Sequence, residues 1–132
     1  MNIKKVIGLA LTTLALNMSL LGDVYAGIDV KCEVSSSRSK ISVDGRSLLN
    51  GLYVASVKSG TATVNSKNKL RPIAGEVQFD FDSNLADIKA GATAVAANFI
   101  KNRTVLGTIY KLNSNGTKSA VASEINRACK LK

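Results

Sequence analysis

Glu76-Val77-Gln78-Phe79-Asp80-Phe81-Asp82 alternates strictly between polar and apolar residues. Period two is the mark of a strand with one face on a core and the other in water. Val77, Phe79 and Phe81 are therefore predicted to face inward, and Glu76, Gln78, Asp80 and Asp82 outward. Pro72 and Gly75 bound the run on its N-terminal side. Two of the three phenylalanines of the chain lie here, which makes this strand the predicted anchor of the core.

The same period recurs upstream. Ile28, Val30, Cys32 and Val34 alternate with Asp29, Lys31 and Glu33. After a polar loop from Ser35 to Lys40, Ile41 and Val43 begin a short strand that Asp44-Gly45, a turn dipeptide, is expected to end. Asn50-Gly51 signals another turn before a strand from Leu52 to Lys58, and Thr61 to Val64 follows the Ser59-Gly60 turn. Asn65 to Pro72 is a polar, basic connection. Downstream of Asp82 the period changes. Leu85, Ile88, Ala92, Val95 and Phe99 recur at spacings of three and four, a helical stripe with Asn84 placed to cap it and Asp87 in its first turn. Gly91 and Thr93 weaken its middle, so one short helix is expected over residues 85–90, with 91–100 open between helix and extended chain. Arg103 to Leu112 returns to strand, Asn115-Gly116 turns it, and Lys118 to Leu131 carries the last strand.

Short strands with frequent turn signals predict a mainly β fold, a small immunoglobulin-like β-sandwich with one short helix and its terminal strands joined by a disulfide. A small β-barrel satisfies the same pattern. The stretch Leu49-Asn50-Gly51-Leu52-Tyr53-Val54-Ala55-Ser56-Val57 resembles the Gly-x-Tyr-x-x-x-Val strand opening of immunoglobulin-like accessory modules in secreted proteins. That resemblance implies a fold and leaves function open.

The N-terminus reads as an address. Lys4 and Lys5 precede an apolar run from Val6 to Leu21, broken by Gly8, Thr12, Thr13, Asn17 and Ser19, and Val24-Tyr25-Ala26 places small residues for a cut before Gly27. Residues 1–26 are thus expected to be a cleaved signal peptide and residues 27–132 a single β-rich domain. The expected location is periplasmic or secreted, with no transmembrane anchor after cleavage. A lipid anchor on Cys32 is not expected, because Asp29-Val30-Lys31 precedes it where small apolar residues are needed. The two cysteines, Cys32 and Cys129, stand 97 residues apart. In an oxidising compartment such a pair is predicted to bond as a structural staple around nearly the whole domain.

The full chain carries a formal net charge of +9; losing Lys4, Lys5 and Asp23 leaves +8. That balance favours a protein partner or an anionic envelope polymer. The chain holds no histidine, so the commonest general base and histidine-based metal sites are excluded. No nucleophile–base pair stands out, and no enzyme is expected. Asp80, Asp82, Asn84 and Asp87 offer hard oxygen donors of the kind calcium selects, with no other cofactor indicated. The first three match the opening of an EF-hand loop, but Leu85 and Gly91 stand where that loop needs glycine and glutamate. The bland account of the same residues is that Asp80 and Asp82 are solvent-facing strand positions and Asn84 a helix cap. Lys67, Lys69 and Arg71 form the densest basic cluster, a candidate anion site, with Arg38 and Lys40, and Lys130 and Lys132, as smaller groups. No aromatics interleave with them, which argues against nucleic acid. Asn102 and Asn115 open glycosylation sequons, and Asn115 is accounted for by its turn. The expected function is that of an exported non-enzymatic binding or structural component at the bacterial cell envelope. The alternative is a secreted basic effector or inhibitor of an acidic target, calcium-binding in one version.

Overall fold

The computed structural model describes residues 26–132. The predicted signal peptide, all but its last residue, lies outside the described residues. In chain order the elements are β1 (Gly27–Ser35), β2 (Arg38–Arg46), β3 (Tyr53–Ser59), β4 (Ala62–Asn65), β5 (Val77–Asp82), α1 (Leu85–Lys89), β6 (Thr93–Ala94), β7 (Val105–Leu112), β8 (Lys118–Asn126) and β9 (Lys130–Leu131). They form two sheets, ordered β6-β5-β2-β1-β9 and β4-β3-β7-β8, packed as a sandwich and not closed into a barrel. Pairing is antiparallel except for β5 with β6 and β1 with β9.

The alternation read from the sequence sets the core. Val30, Ile41, Val43, Phe79 and Phe81 of the first sheet are buried against Tyr53, Ala55, Val57, Val105 and Ile109 of the second. Burial pushes the pKa of the Tyr53 hydroxyl up, and that hydroxyl donates to the Leu49 carbonyl at 2.8 Å. A buried phenol must find such a partner to offset its desolvation.

Asp44-Gly45 is not a turn. Both residues lie inside β2, paired on one side with Asp29 and Ile28 and on the other with Gln78 and Val77. Glycine lets the second sheet come close there: a Cβ on Gly45 would lie 2.7 Å from Ile109 Cδ1, which would have to shift. Gly107 in β7 does the same from the opposite side, where a Cβ would meet Val30 Cγ2 at 2.7 Å. The polar loop expected from Ser35 to Lys40 is also shorter than read, since Arg38 already pairs with Ser35 and starts β2.

The last strand divides in two. β8 ends at Asn126, whose Oδ1 accepts from Ala128 N–H at 2.8 Å and turns the chain out of the second sheet. The chain then reaches the first sheet as β9, beside Glu33 and Val34. α1 forms where the cap and first-turn acid predicted it, with Asn84 Oδ1 accepting from the N–H groups of Ala86 at 3.0 Å and Asp87 at 3.4 Å. It buries no residue, and Leu85 at the head of the helical stripe is 72% exposed. Gly91, at φ 125°, ends the helical path. Val95 and Phe99 then reach the core from an irregular crossing between the sheets.

Candidate functional site

At the end of β5 the acidic residues meet a guanidinium. Arg38, which opens β2, donates through Nε to Asp82 Oδ1 at 2.9 Å and through Nη2 to Asp82 Oδ2 at 2.7 Å, and Nη2 also reaches Asp87 Oδ2 at 2.9 Å. Asn84 N–H donates to Asp82 Oδ1 at 3.0 Å. Asp82 is 2% exposed, so the solvent-facing position predicted for it is corrected: α1 and the Arg38 side chain cover it. Burial pushes its carboxyl up. The Arg38 hydrogen bond, the backbone N–H groups of Asn84 and Ser83 and the charge of Arg38 outweigh this and hold its pKa below the usual carboxylate range. The Asp82 hydrogen bond in turn raises Arg38 against its own desolvation, with the charges of Asp82, Asp87 and Glu33 adding to it.

This arrangement reassigns the four oxygen donors proposed for calcium. Asp82 and Asp87 share a protein cation, the Asn84 side chain caps α1, and Asp80 accepts from Gln78 Nε2 at 3.0 Å. Among the described residues no three carboxylate, histidine or cysteine side chains are grouped to hold a metal ion. What sequence reasoning missed is the pairing of Arg38, read only as part of a basic group, with Asp82. Its signal lies in a β2–β5 pairing that puts residue 38 beyond Lys40 and so beside the end of β5, and no local pattern reveals that pairing.

The outer face of the first sheet is a lattice of alternating charge. Asp82, Lys40, Glu33 and Lys130 stand in register across β5, β2, β1 and β9, and Lys31 Nζ lies 3.7 Å from both Asp29 and Asp44. Opposite charges across a strand pair stabilise modestly, and exposed ones contribute about 0–1 kcal/mol each. An open cleft of about 590 Å³ crosses this face, floored by Lys31, Lys40 and Asp80 and walled by Asn68 and Gly91. Its one lining hydroxyl, Ser42, donates to Asp44 at 2.9 Å.

Of the basic groups read from sequence, Arg38 and Lys40 come together with Lys130 and Lys132 around Glu33, and the cluster of Lys67, Lys69 and Arg71 stands apart from them. Lys67, Lys69 and Arg71 are all exposed in the connection after β4, where Lys67 N–H donates to Thr93 Oγ1 at 3.0 Å and Leu70 pairs with Tyr53. That pairing puts Leu70 beside the start of β3. Lys130 and Lys132 lie toward the other end, beside Glu33 and Val34 of β1.

Cys32 and Cys129 are bonded, with their Cα atoms 4.8 Å apart. The bond joins β1 to the segment just before β9, and both residues are buried. Two buried serines tie the crossing segment to the sheets. Ser39 Oγ donates to Ala97 O at 2.8 Å and accepts from Ile100 N–H at 3.2 Å, and Ser59 Oγ donates to Thr104 O and accepts from Lys101 N–H, both at 2.7 Å. Where β1 faces β8 without a strand ladder, side chains replace it. Val30 N–H donates to Glu124 Oε2 at 3.3 Å, and Asn126 Nδ2 donates to Val30 O at 2.8 Å.

No protein-family model, no curated protein and no solved structure matches this chain.

Proposed function

We propose that this chain works as an exported, non-enzymatic β-sandwich that binds a partner, or serves as a structural part, at the bacterial cell envelope. The observation that carries the proposal is the buried Cys32–Cys129 bond, which closes almost the whole described chain into one loop. A bond of that kind persists in oxidising compartments and is rare in the cytosol. A second feature supports the same address: β1 begins at Gly27, the residue that the predicted cut would expose. Among the described residues no helix is long and apolar enough to cross a membrane. The lack of histidine and the mutual pairing of the polar groups on the first sheet support binding over catalysis.

A protein partner would use an end of the sandwich or a free sheet edge. β8 is the longest edge, nine residues with most of its side chains exposed. An added strand would pair with its free backbone groups. The extra residue Val121, opposite the Ile109–Tyr110 step, restricts that pairing to part of the strand.

In-cell cross-linking of the exported protein, with mass spectrometry of the products after fractionation, tests the proposal. Adducts to envelope proteins or cell-wall material in the periplasmic or extracellular fraction are expected. A cytoplasmic pool cross-linked to cytoplasmic proteins would contradict it.

A further inference from the structure

We infer that the disulfide end of the sandwich is a binding surface for an anionic glycan, a polyol chain carrying repeated negative groups. The inference rests on the envelope reading above and names the class of partner. It also moves the anion site away from Lys67, Lys69 and Arg71.

The fold gathers positive charge at this end through the staple itself. Cys129 N–H donates to Arg103 O at 3.0 Å, and Arg103 Nε donates back to Cys129 O at 2.9 Å. These two bonds, with the disulfide, fix the sequence neighbours Arg127 and Lys130 beside the turn that holds Lys101 and Arg103. Around the corner, a shallow groove of about 300 Å³ is lined by Glu33, Val34, Ser35, Arg38, Lys40 and Lys132. Among those residues Glu33 is the only carboxylate, and it faces three lysines: Lys40 and Lys130 across the strands, and Lys132 with Nζ at 3.9 Å. Arg38 is already committed to Asp82 and Asp87. Lys40 also faces Asp82, so the signs alternate across these strands as on the rest of the sheet. The surplus of cations lies at Lys101, Arg103, Arg127 and Lys130, in stretches 97–112 and 125–132 that hold no Asp or Glu.

The backbone sets how Arg103 is presented. Asn102 and Arg103 both occupy the left-handed region, at φ 52° and 53°. Asn enters that region readily, but Arg does so against the steric preference of a side chain with a Cβ, and such strain persists only where the surroundings impose it. Glycine would relieve it. The chain instead keeps a guanidinium there, with Nε engaged and its two terminal nitrogens making no hydrogen bond among the described residues, free for a forked contact with an oxyanion.

Several features select a glycan over other polyanions. The surface is spread over three segments and is shallow, which suits an extended polymer better than a small ligand. Its nearest aromatic in sequence, Phe99, is 4% exposed, so single-stranded nucleic acid finds nothing to stack on. The large apolar side chain exposed on the C-terminal segment 127–132 is Leu131, at 63% between Lys130 and Lys132, the group there that a lipid surface could use.

The test uses protein exported and processed by cells expressing the full chain, with heparin as the probe. Lys101→Gln/Arg127→Gln/Lys130→Gln and Lys67→Gln/Lys69→Gln/Arg71→Gln remove equal charge from exposed positions at the two sites. At physiological salt the first triple variant is expected to weaken heparin binding at least tenfold, and to lower the slope of log affinity against log salt by about 2 or more. The second is expected to weaken it less than threefold. Lys40→Gln/Lys132→Gln, which leaves the cysteine segment untouched, is expected to weaken it about threefold to tenfold by the same loss of counterion release. Equal losses in the two triple variants, or a larger one for residues 67–71, would overturn the inference. So would absence of wild-type binding, tighter binding to a single-stranded oligonucleotide, or binding to phosphatidylglycerol vesicles that Leu131→Ser abolishes. Fractionation of the same cells separates the two readings. A periplasmic protein indifferent to heparin sinks this inference alone, and a cytoplasmic one sinks the envelope reading.

Discussion

Where the first strands turn at Ser35–Arg38, the sandwich is closed by the Cys32–Cys129 bond, by Arg38 on buried Asp82 at 2.7 Å, and by Ser39 and Ser59 holding the crossing segment. At the opposite end residues 47–52 and 66–76 meet mainly through backbone bonds, Leu48 N–H to Gly75 O at 3.0 Å and Tyr53 with Leu70 at 2.9 Å in both directions. That end leaves Leu49 66% and Ile73 83% exposed and keeps Ser47 and Ala74 at φ 57° and 54°. The comparison teaches where this small domain concentrates its order. The covalent bond and the buried ion pair coincide with the cationic surface, and the other end is held by loop ladders and the Tyr53 hydroxyl on Leu49 O.

The largest break in that contrast should come from the staple. Cys32→Ser with Cys129→Ser removes a loop constraint worth about 4–5 kcal/mol on the chain-entropy account. For a domain of this size that is a fall in Tm of roughly 20 °C. Calorimetry of the double variant measures it, and a loss below about 1 kcal/mol would erase the difference between the ends.

Arg38→Ala comes next, because near neutral pH it strands a buried carboxylate without its counter-ion. Its pH dependence has a definite sign. In the wild type the Asp82 pKa lies below its unfolded value, so its contribution is complete above about pH 4 and is lost as pH falls through the folded value. Without Arg38 only the Asn84 and Ser83 N–H groups oppose burial, so that pKa rises from its wild-type position. The variant's deficit should then shrink as pH falls through the range where the variant's carboxyl, and not yet the wild type's, takes up a proton. Urea unfolding at a series of pH values from neutral downward reads this, and an unchanged deficit contradicts the assignment.

Ser59→Ala leaves Lys101 N–H and Thr104 C=O without their buried partner and should cost about 1–2 kcal/mol. At the looser end, Leu49→Ser and Ile73→Ser should each change stability by no more than about 0.5 kcal/mol, since neither side chain is buried. Ala74→Gly sharpens the comparison from the other direction. It relieves a left-handed alanine and should stabilise by about 0.5–1 kcal/mol, visible as a higher urea midpoint.

The parts of the fold legible in the sequence are those whose signal is local. Val77, Phe79 and Phe81 declare β5 because a half-buried strand needs nothing beyond its own alternation, and Asn84 declares α1 because a cap acts within one turn. Two lone cysteines with an export-like N-terminus are enough to pair Cys32 with Cys129. What escaped depends on the partner sheet. Gly45 resembles a turn residue and is in fact a point of close approach to Ile109. Asn126 leaves the second sheet through an Asx bond to Ala128 while its amide holds Val30, so the single strand read from Lys118 to Leu131 divides there. Asp82 resembles a surface acid until β2 brings Arg38 over it. The surface around Arg103, Arg127 and Lys130 is scattered along the chain, and only the disulfide segment gathers it.

One measurement tests the address and the staple together: the intact mass of the protein from fractionated cells, alkylated before and after reduction. The expected result is a periplasmic or extracellular chain beginning at Gly27 that takes no alkyl group until reduced and two thereafter. A cytoplasmic chain that retains residues 1–26 and alkylates at both cysteines without reduction would contradict it.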